Sequence, residues 1–194
     1  MGRWQPDSRG RLERAALELY AERGFEDTTV AEIAERAGVT ERTFFRYFAD
    51  KREVLFPGGG VLEALLTDAV AQAPSSAGPM EAVTYALDAF AAMLEERRDF
   101  ALQRQAVIAA SPELHERELI KLASLAATLA DALRARGVKD PAATLTAEAG
   151  LTVFRVAVQR WASGTRRRDL SRLLRDSLDE LRSVTAGAPS VNAG

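Results

Sequence analysis

Apolar residues recur along this chain at intervals of three and four, and no long stretch alternates apolar with polar, so the pattern predicts an all-α protein without a sheet. Leu12, Ala15, Ala16, Leu19 and Tyr20 form the first stripe, and Gly24 stands where a helix would end in a left-handed cap. Thr29 and Glu32 make a Thr-x-x-Glu capping box, which satisfies two otherwise orphaned backbone N–H groups and so starts a second helix. Its inner face is Val30, Ile33, Ala34 and Ala37. Gly38 stops it, Val39 is a candidate buried hinge, and Thr40 caps a third helix from Glu41 to Phe48, after which Asp50 is placed to cap the next. Further starts are marked by Gly78–Pro79, Asp99, Ser111–Pro112, Asp140–Pro141 and Thr165, with ends near Arg98, Ala110, Gly137 and Gly164. The expectation is about nine helices.

The segment "FPGGG" at 56–60 interrupts this series. In a helix interior Gly costs about 1 kcal/mol and Pro about 3, so a short helix at 51–56, a joint and a second helix at 61–73 are expected in place of one continuous rod. "APSSAGP" at 73–79 reads as a loop, and 186–194 as a disordered tail. The division that follows is a helix-turn-helix domain at 1–56, a helical ligand-binding and dimerisation domain at 57–185, and the tail.

Charge narrows the partners. With a net charge of −2 over 194 residues the chain lacks the basic excess of a general nucleic-acid coat, so any DNA contact must be local. Between Thr40 and Arg52, Arg42, Arg46, Lys51 and Arg52 outnumber Glu41 and Asp50. No cysteine is present, which rules out disulfides and thiolate metal sites and fits a cytoplasmic location; no apolar run approaches the roughly 18 residues of a membrane helix. No cofactor or metal motif appears. The sole histidine, His115, sits in the charged "SPELHEREL", which argues for a solvated ring and against catalysis.

Two helices joined by a three-residue turn containing Gly form a helix-turn-helix, whose second helix can lie in the major groove. On a wheel of about 100° per residue, Phe44 and Phe48 fall opposite Arg42, Phe45 and Arg46, with Tyr47 at the boundary. The first pair therefore packs inward and the rest stays on the surface. An exposed aromatic ring beside arginines suits DNA: Arg can bond guanine O6 and N7, a ring can cover a thymine methyl, and Lys51 can reach a phosphate. Arg3 and Arg9 precede the first helix as a possible minor-groove arm.

"TTVAEIAERAGVTERTFFRYFADKREVL" resembles the amino-terminal signature of the TetR family of bacterial transcriptional regulators, and "YAERGFEDTT" extends the likeness back toward Ser8. The resemblance implies a homodimer that represses a promoter by binding a palindromic operator in double-stranded DNA and is released by a small molecule held in the larger domain. It carries DNA contacts onto Thr29, Thr40, Arg42, Phe45, Tyr47 and Lys51, with Arg46 beside them. Phe45 stands where the family usually has Tyr, Tyr47 where it often has His, and Arg42 where a small residue is frequent. Arg42 is the candidate base reader, Tyr47 and Lys51 the candidate backbone clamps.

In the larger domain, "GLTVFRVAVQRWASG" is apolar nearly all round and so must be covered on two sides. Pairing it with the last helix across a two-fold axis would use Val153, Val156, Leu170, Leu174, Leu178 and Leu181; burial inside one subunit is the other solution. Met93, Phe100, Gln103, Arg104, Phe154 and Trp161 are the candidate pocket for an unidentified effector, though each residue type is equally at home in a plain core. "RRR" at 166–168 reads as a solvated face. A protein-binding helical adaptor and a ligand-independent repressor are the alternatives, distinguished by salt dependence and by a ligand screen.

Overall fold

The structure is a computed structural model that describes residues 7–56, 60–164 and 168–187. Among these residues there are nine α-helices and no strand: α1 (Ser8–Arg23), α2 (Val30–Arg36), α3 (Glu41–Tyr47), α4 (Val61–Gln72), α5 (Pro79–Glu96), α6 (Arg98–Ala110), α7 (Pro112–Ala135), α8 (Ala142–Ser163) and α9 (Leu170–Thr185), with one 3-10 turn at Glu53–Leu55. None of the described helices is long and apolar enough to cross a membrane, and no group of described His, Asp and Glu side chains could hold a metal ion.

Local chemistry accounts for most boundaries. The capping box at Thr29 and Glu32 is formed in both directions. At the other end of α2 the Gly38 N–H donates to Glu35 O and the Val39 N–H to Ala34 O, with Gly38 at φ +64°, a conformation that glycine alone adopts without strain. Val39 is half-buried beside the core at this turn. Asp50 Oδ1 accepts the N–H groups of Arg52 and Glu53 and so starts the 3-10 turn. That turn replaces the short helix expected at 51–56. Phe56 is extended at φ −115° and ψ 127°, Gly60 has φ +74°, and α4 begins at Val61. Pro57 to Gly59, the centre of the expected joint, lie outside the described residues, as do Thr165 to Arg167, Arg3 and the tail from 188. The last helix is capped by Asp169, whose carboxylate accepts the Arg172 N–H, in place of the expected Thr165 start.

Two compact units emerge: residues 1–61 with 99–120, and 62–98 with 121–194. The first unit has a core of Leu12, Leu19, Ile33, Phe44, Phe48 and Leu55 from the amino-terminal elements, joined by Val107, Ile108 and Leu114 from α6 and the start of α7. The apolar side of α3 is thereby anchored, with Phe44 0% and Phe48 3% exposed. A single cut at residue 56 does not anticipate that the 99–120 segment shares this core.

In the second unit α5, α8 and α9 pack on one another. Gly150 lets α8 approach α5 closely: a Cβ there would stand 2.5 Å from Val83 Cγ1. Phe90 and Phe154 stack at 4.6 Å. Glu95 Oε1 accepts from Arg98 Nη1, Trp161 Nε1 and the Leu170 N–H, each at 2.9 Å, and so joins the end of α5 to the end of α8 and the start of α9.

Candidate nucleic-acid interface

The outer side of α3 carries what its sequence period predicts. Phe45 is 55% exposed and Tyr47 39%, with Arg42 and Arg46 exposed beside them. Among the described residues neither arginine is in an ion pair, whereas Arg23 and Arg36 on the neighbouring helices are paired with Glu32 and with Glu18 and Glu22. Leaving an aromatic ring and two unneutralised guanidinium groups together in water is an arrangement that an anionic, flat-faced partner would cover.

Tyr47 and Arg46 form one unit. Arg46 Nη2 donates to the Tyr47 hydroxyl at 3.0 Å and its guanidinium lies 4.8 Å from the ring centroid. Because the hydroxyl oxygen accepts here, its own O–H is left to donate outward. Phe45 meets Phe44 edge-on at 5.4 Å, so the exposed ring is braced by the buried one. Thr29 and Thr40 are exposed at the starts of α2 and α3, and both hydroxyls are engaged as caps: Thr29 Oγ1 with Glu32 and Thr40 Oγ1 with Thr43.

Lys51 stands apart from the set. Its Nζ donates to the carbonyls of Phe25, Glu26 and Thr28 at 2.9, 3.1 and 3.0 Å, and lies 4.3 Å from the Phe25 ring centroid. An ammonium has three donors, and in the chain without DNA all three are engaged by these carbonyls. Tyr20, 3% exposed, completes the circuit by donating to the Lys51 carbonyl at 2.6 Å. Burial pushes the Tyr20 phenol above its ordinary range, helped by the charge of Asp50, which keeps that donor protonated. Arg9 is likewise engaged inside α1, pairing with Glu13 and lying over Phe48, and is not part of a free arm.

Two side chains of the unit were not singled out for these roles by sequence. Arg11 Nη1 donates to Ala37 O at 2.8 Å and closes the end of α2. Arg104, expected in a ligand pocket, donates to Leu55 O, pairs with Glu118 at 3.4 Å and lies over Phe56. Burial pulls its guanidinium below the ordinary value while Glu118 opposes this. These partners are 26 and 49 residues away, so no local signal marks them. A cavity of about 330 Å³ nearby is lined by Asp50, Arg52, Glu53, Glu113, Glu116 and Arg117, and is crossed by Arg52–Glu113 and Arg117–Glu53 pairs.

Of the remaining pocket candidates, Phe100 packs on the first unit's core and Gln103 is exposed, while Met93 is half-buried and Phe154 and Trp161 are occupied by Phe90 and Glu95 in the second unit. Most of the dimer candidates are covered within the chain. Val153, Leu170, Leu174 and Leu178 are 5%, 0%, 1% and 6% exposed within the chain, where α5, α8 and α9 pack on one another. Leu181 is half-buried, and Val156 is 37% exposed. Arg168 offers its carbonyl to Arg98; Arg166 and Arg167 fall outside the described residues.

Known proteins resemble this chain along most of its length. The model for the amino-terminal region of bacterial regulatory proteins of the tetR family matches residues 13–56, and the model for the MftR C-terminal domain matches residues 77–186. The HTH-type transcriptional regulator TcmR of Streptomyces glaucescens is 43% identical over 97 residues, 50% of this chain and 41% of that protein. The putative mycofactocin biosynthesis transcriptional regulator MftR of Mycobacterium tuberculosis is 32% identical over 114 residues, 59% of this chain and 58% of its own length. These matched stretches thus span about half the length of each curated relative. Among solved structures, the TetR-family transcriptional repressor FadR of Thermus thermophilus, in complex with lauroyl-CoA, aligns with a TM-score of 0.59 at 27% identity over 96% of this chain and 99% of that one.

Proposed function

This chain belongs to the TetR family of bacterial regulatory proteins, and from that membership together with the outer surface of α3 we propose that it is a cytoplasmic transcriptional repressor that binds a palindromic operator as a homodimer and is released by a small molecule. The observation that carries the reading is the pair of unneutralised arginines flanking an exposed Phe45 on a helix whose other side is sealed in the core. Arg42 reads a base edge, Phe45 covers a thymine methyl, and Tyr47, oriented by Arg46, donates its O–H to a phosphate. Thr29 and Thr40, exposed at the starts of α2 and α3, are assigned to the same contact surface. Its relatives are transcriptional regulators, which supports a role without catalysis.

Dimerisation is proposed through the apolar positions that intramolecular packing leaves open. Leu145 and Val156 lie 11 positions apart on one side of α8 and are 65% and 37% exposed, and Val184 on α9 is 56% exposed. Val156→Arg would then shift sedimentation toward the monomer without unfolding the chain. For the effector, the lauroyl-CoA bound to the Thermus thermophilus relative makes that acyl-CoA the first compound to try.

The test is a gel shift with the DNA flanking the gene. Expected are a retarded band on a palindromic segment, a steep fall of log affinity with log salt, and loss of the band in Arg42→Ala and Phe45→Ala chains that remain folded. Binding that is insensitive to salt, or unaffected by both substitutions, would refute the assignment of this surface to DNA.

A further inference from the structure

Phe45 is not alone on its stripe of α3. Glu41 lies four positions before it, one turn away on the same side, where Cβ atoms are about 5–6 Å apart and each side chain leans back over the preceding turn. Both are exposed. A surface that covers Phe45 must therefore also meet the Glu41 carboxylate. On the neighbouring helices Glu18 and Glu22 are paired with Arg36, and Glu32 with Arg23, whereas among the described residues Glu41 forms no ion pair, although Arg42 follows it directly. Residues 1–56 carry eleven Asp and Glu against ten Lys and Arg, so no basic excess draws this motif onto DNA at large. An unanswered carboxylate on the reading side adds repulsion.

We propose that Glu41 is a specificity-determining residue: on DNA it accepts a hydrogen bond from the N4 amino group of one cytosine in the major groove and rejects duplexes that offer no donor there. This rests on the reading of α3 as the DNA-facing helix. The chemistry selects the base. A carboxylate only accepts, and in the major groove amino donors are found on cytosine and adenine alone. Adenine sets its N7 acceptor beside the amino group, which opposes the second carboxylate oxygen, whereas cytosine has a C–H there. Guanine and thymine present acceptors, and would leave the charge desolvated and unpaired.

An acid in the first turn of α3 also suits the positive end of the helix dipole, but that role says nothing about bases. Base preference therefore separates the two. Full-length wild-type and Glu41→Gln chains each select duplexes from a random library, and affinities are then measured at one salt concentration. Expected for the wild type is a cytosine at one fixed position of the selected motif, with a loss of about tenfold or more when that C·G pair becomes T·A. Expected for Glu41→Gln is adenine at the same position, since an amide both donates and accepts and so matches adenine N6 and N7. The pair read by Arg42 should be unchanged, and affinity for an unrelated duplex should rise severalfold.

A glutamine chain that keeps every wild-type base preference, or a wild-type motif without such a cytosine, would overturn the proposal and leave α3 on DNA. Should Glu41→Gln not fold, the wild-type chain decides the matter. Replacing the selected cytosine by 2-pyrimidinone, the same ring without its amino group, should cost about tenfold, and the other cytosines of the motif little. No loss at any cytosine would remove the bond to Glu41. If the wild-type chain selects no duplex at all, the DNA reading of α3 fails first and the role of Glu41 falls with it.

Discussion

Replacing Gly150 by alanine sets two effects of opposite sign against each other. By helix propensity alone the change stabilises, since alanine is about 1 kcal/mol better than glycine in a helix interior. The packing says otherwise. An added Cβ would lie 2.5 Å from Val83 Cγ1 and 3.5 Å from Leu87 Cδ1, where carbon atoms settle at about 3.5–4.0 Å. Val83 is fully buried and β-branched, so its methyl cannot swing aside without leaving its preferred rotamer. Overpacking of this kind costs about 1–3 kcal/mol, and an overlap of about 1 Å or more against a stiff neighbour belongs in the upper half of that range. The expected net result is destabilisation by about 1–2 kcal/mol. Urea unfolding followed by circular dichroism measures it, with variants compared at one protein concentration because self-association would otherwise contribute. Val83→Ala supplies the control: the colliding methyl is gone, so in the double variant the methyl added by Gly150→Ala should fill the space and the two changes should couple favourably by about 1 kcal/mol. A Gly150→Ala chain more stable than wild type would show that α5 and α8 do not approach as described.

Three further outcomes are expected. Glu95→Gln keeps the shape but loses the charge that serves Arg98, Trp161 and the start of α9, and should lower stability by about 1–3 kcal/mol in thermal denaturation, whereas Glu96→Gln, on the exposed side, should change little. Arg42→Ala should reduce discrimination at one operator base pair by about 1–3 kcal/mol in competition binding, leaving preferences elsewhere intact. The Asp50 carboxyl is held below its ordinary value by its hydrogen bond from Arg52, against the opposing effect of burial. A folded-state value below the unfolded one gives stabilisation that is present at neutral pH and lost as pH falls through about 4 and lower. The stability gap between wild type and Asp50→Asn should therefore narrow between about pH 6 and pH 3, and a constant gap in urea midpoints would contradict it.

Helix boundaries and the outward set on α3 were legible because both depend on neighbours a few residues away. A capping box needs only Thr29 and Glu32, Gly38 needs only its own φ, and a 100° period alone separates Phe44 and Phe48 from Arg42, Phe45 and Arg46. Phe56 and Gly60, the described residues that flank the expected joint, are non-helical.

What the chain's order of residues determined by itself, then, is where helices start and stop and which of their sides are apolar. Tertiary structure alone decided what each apolar side meets and where each long cation ends. A stripe such as Leu170, Leu174 and Leu178 states that it must be covered, and says nothing of whether the cover is a second copy or the same chain; here these leucines are buried within the chain, where α9 packs on α8 and α5. Likewise an ammonium is equally suited to a phosphate and to a cluster of carbonyls, and only folding brought three carbonyls to Lys51 and the Leu55 carbonyl to Arg104. The physical reason is range: capping and periodicity act within a turn or two, whereas these contacts close loops of 23 to 49 residues and exist only once the core has formed.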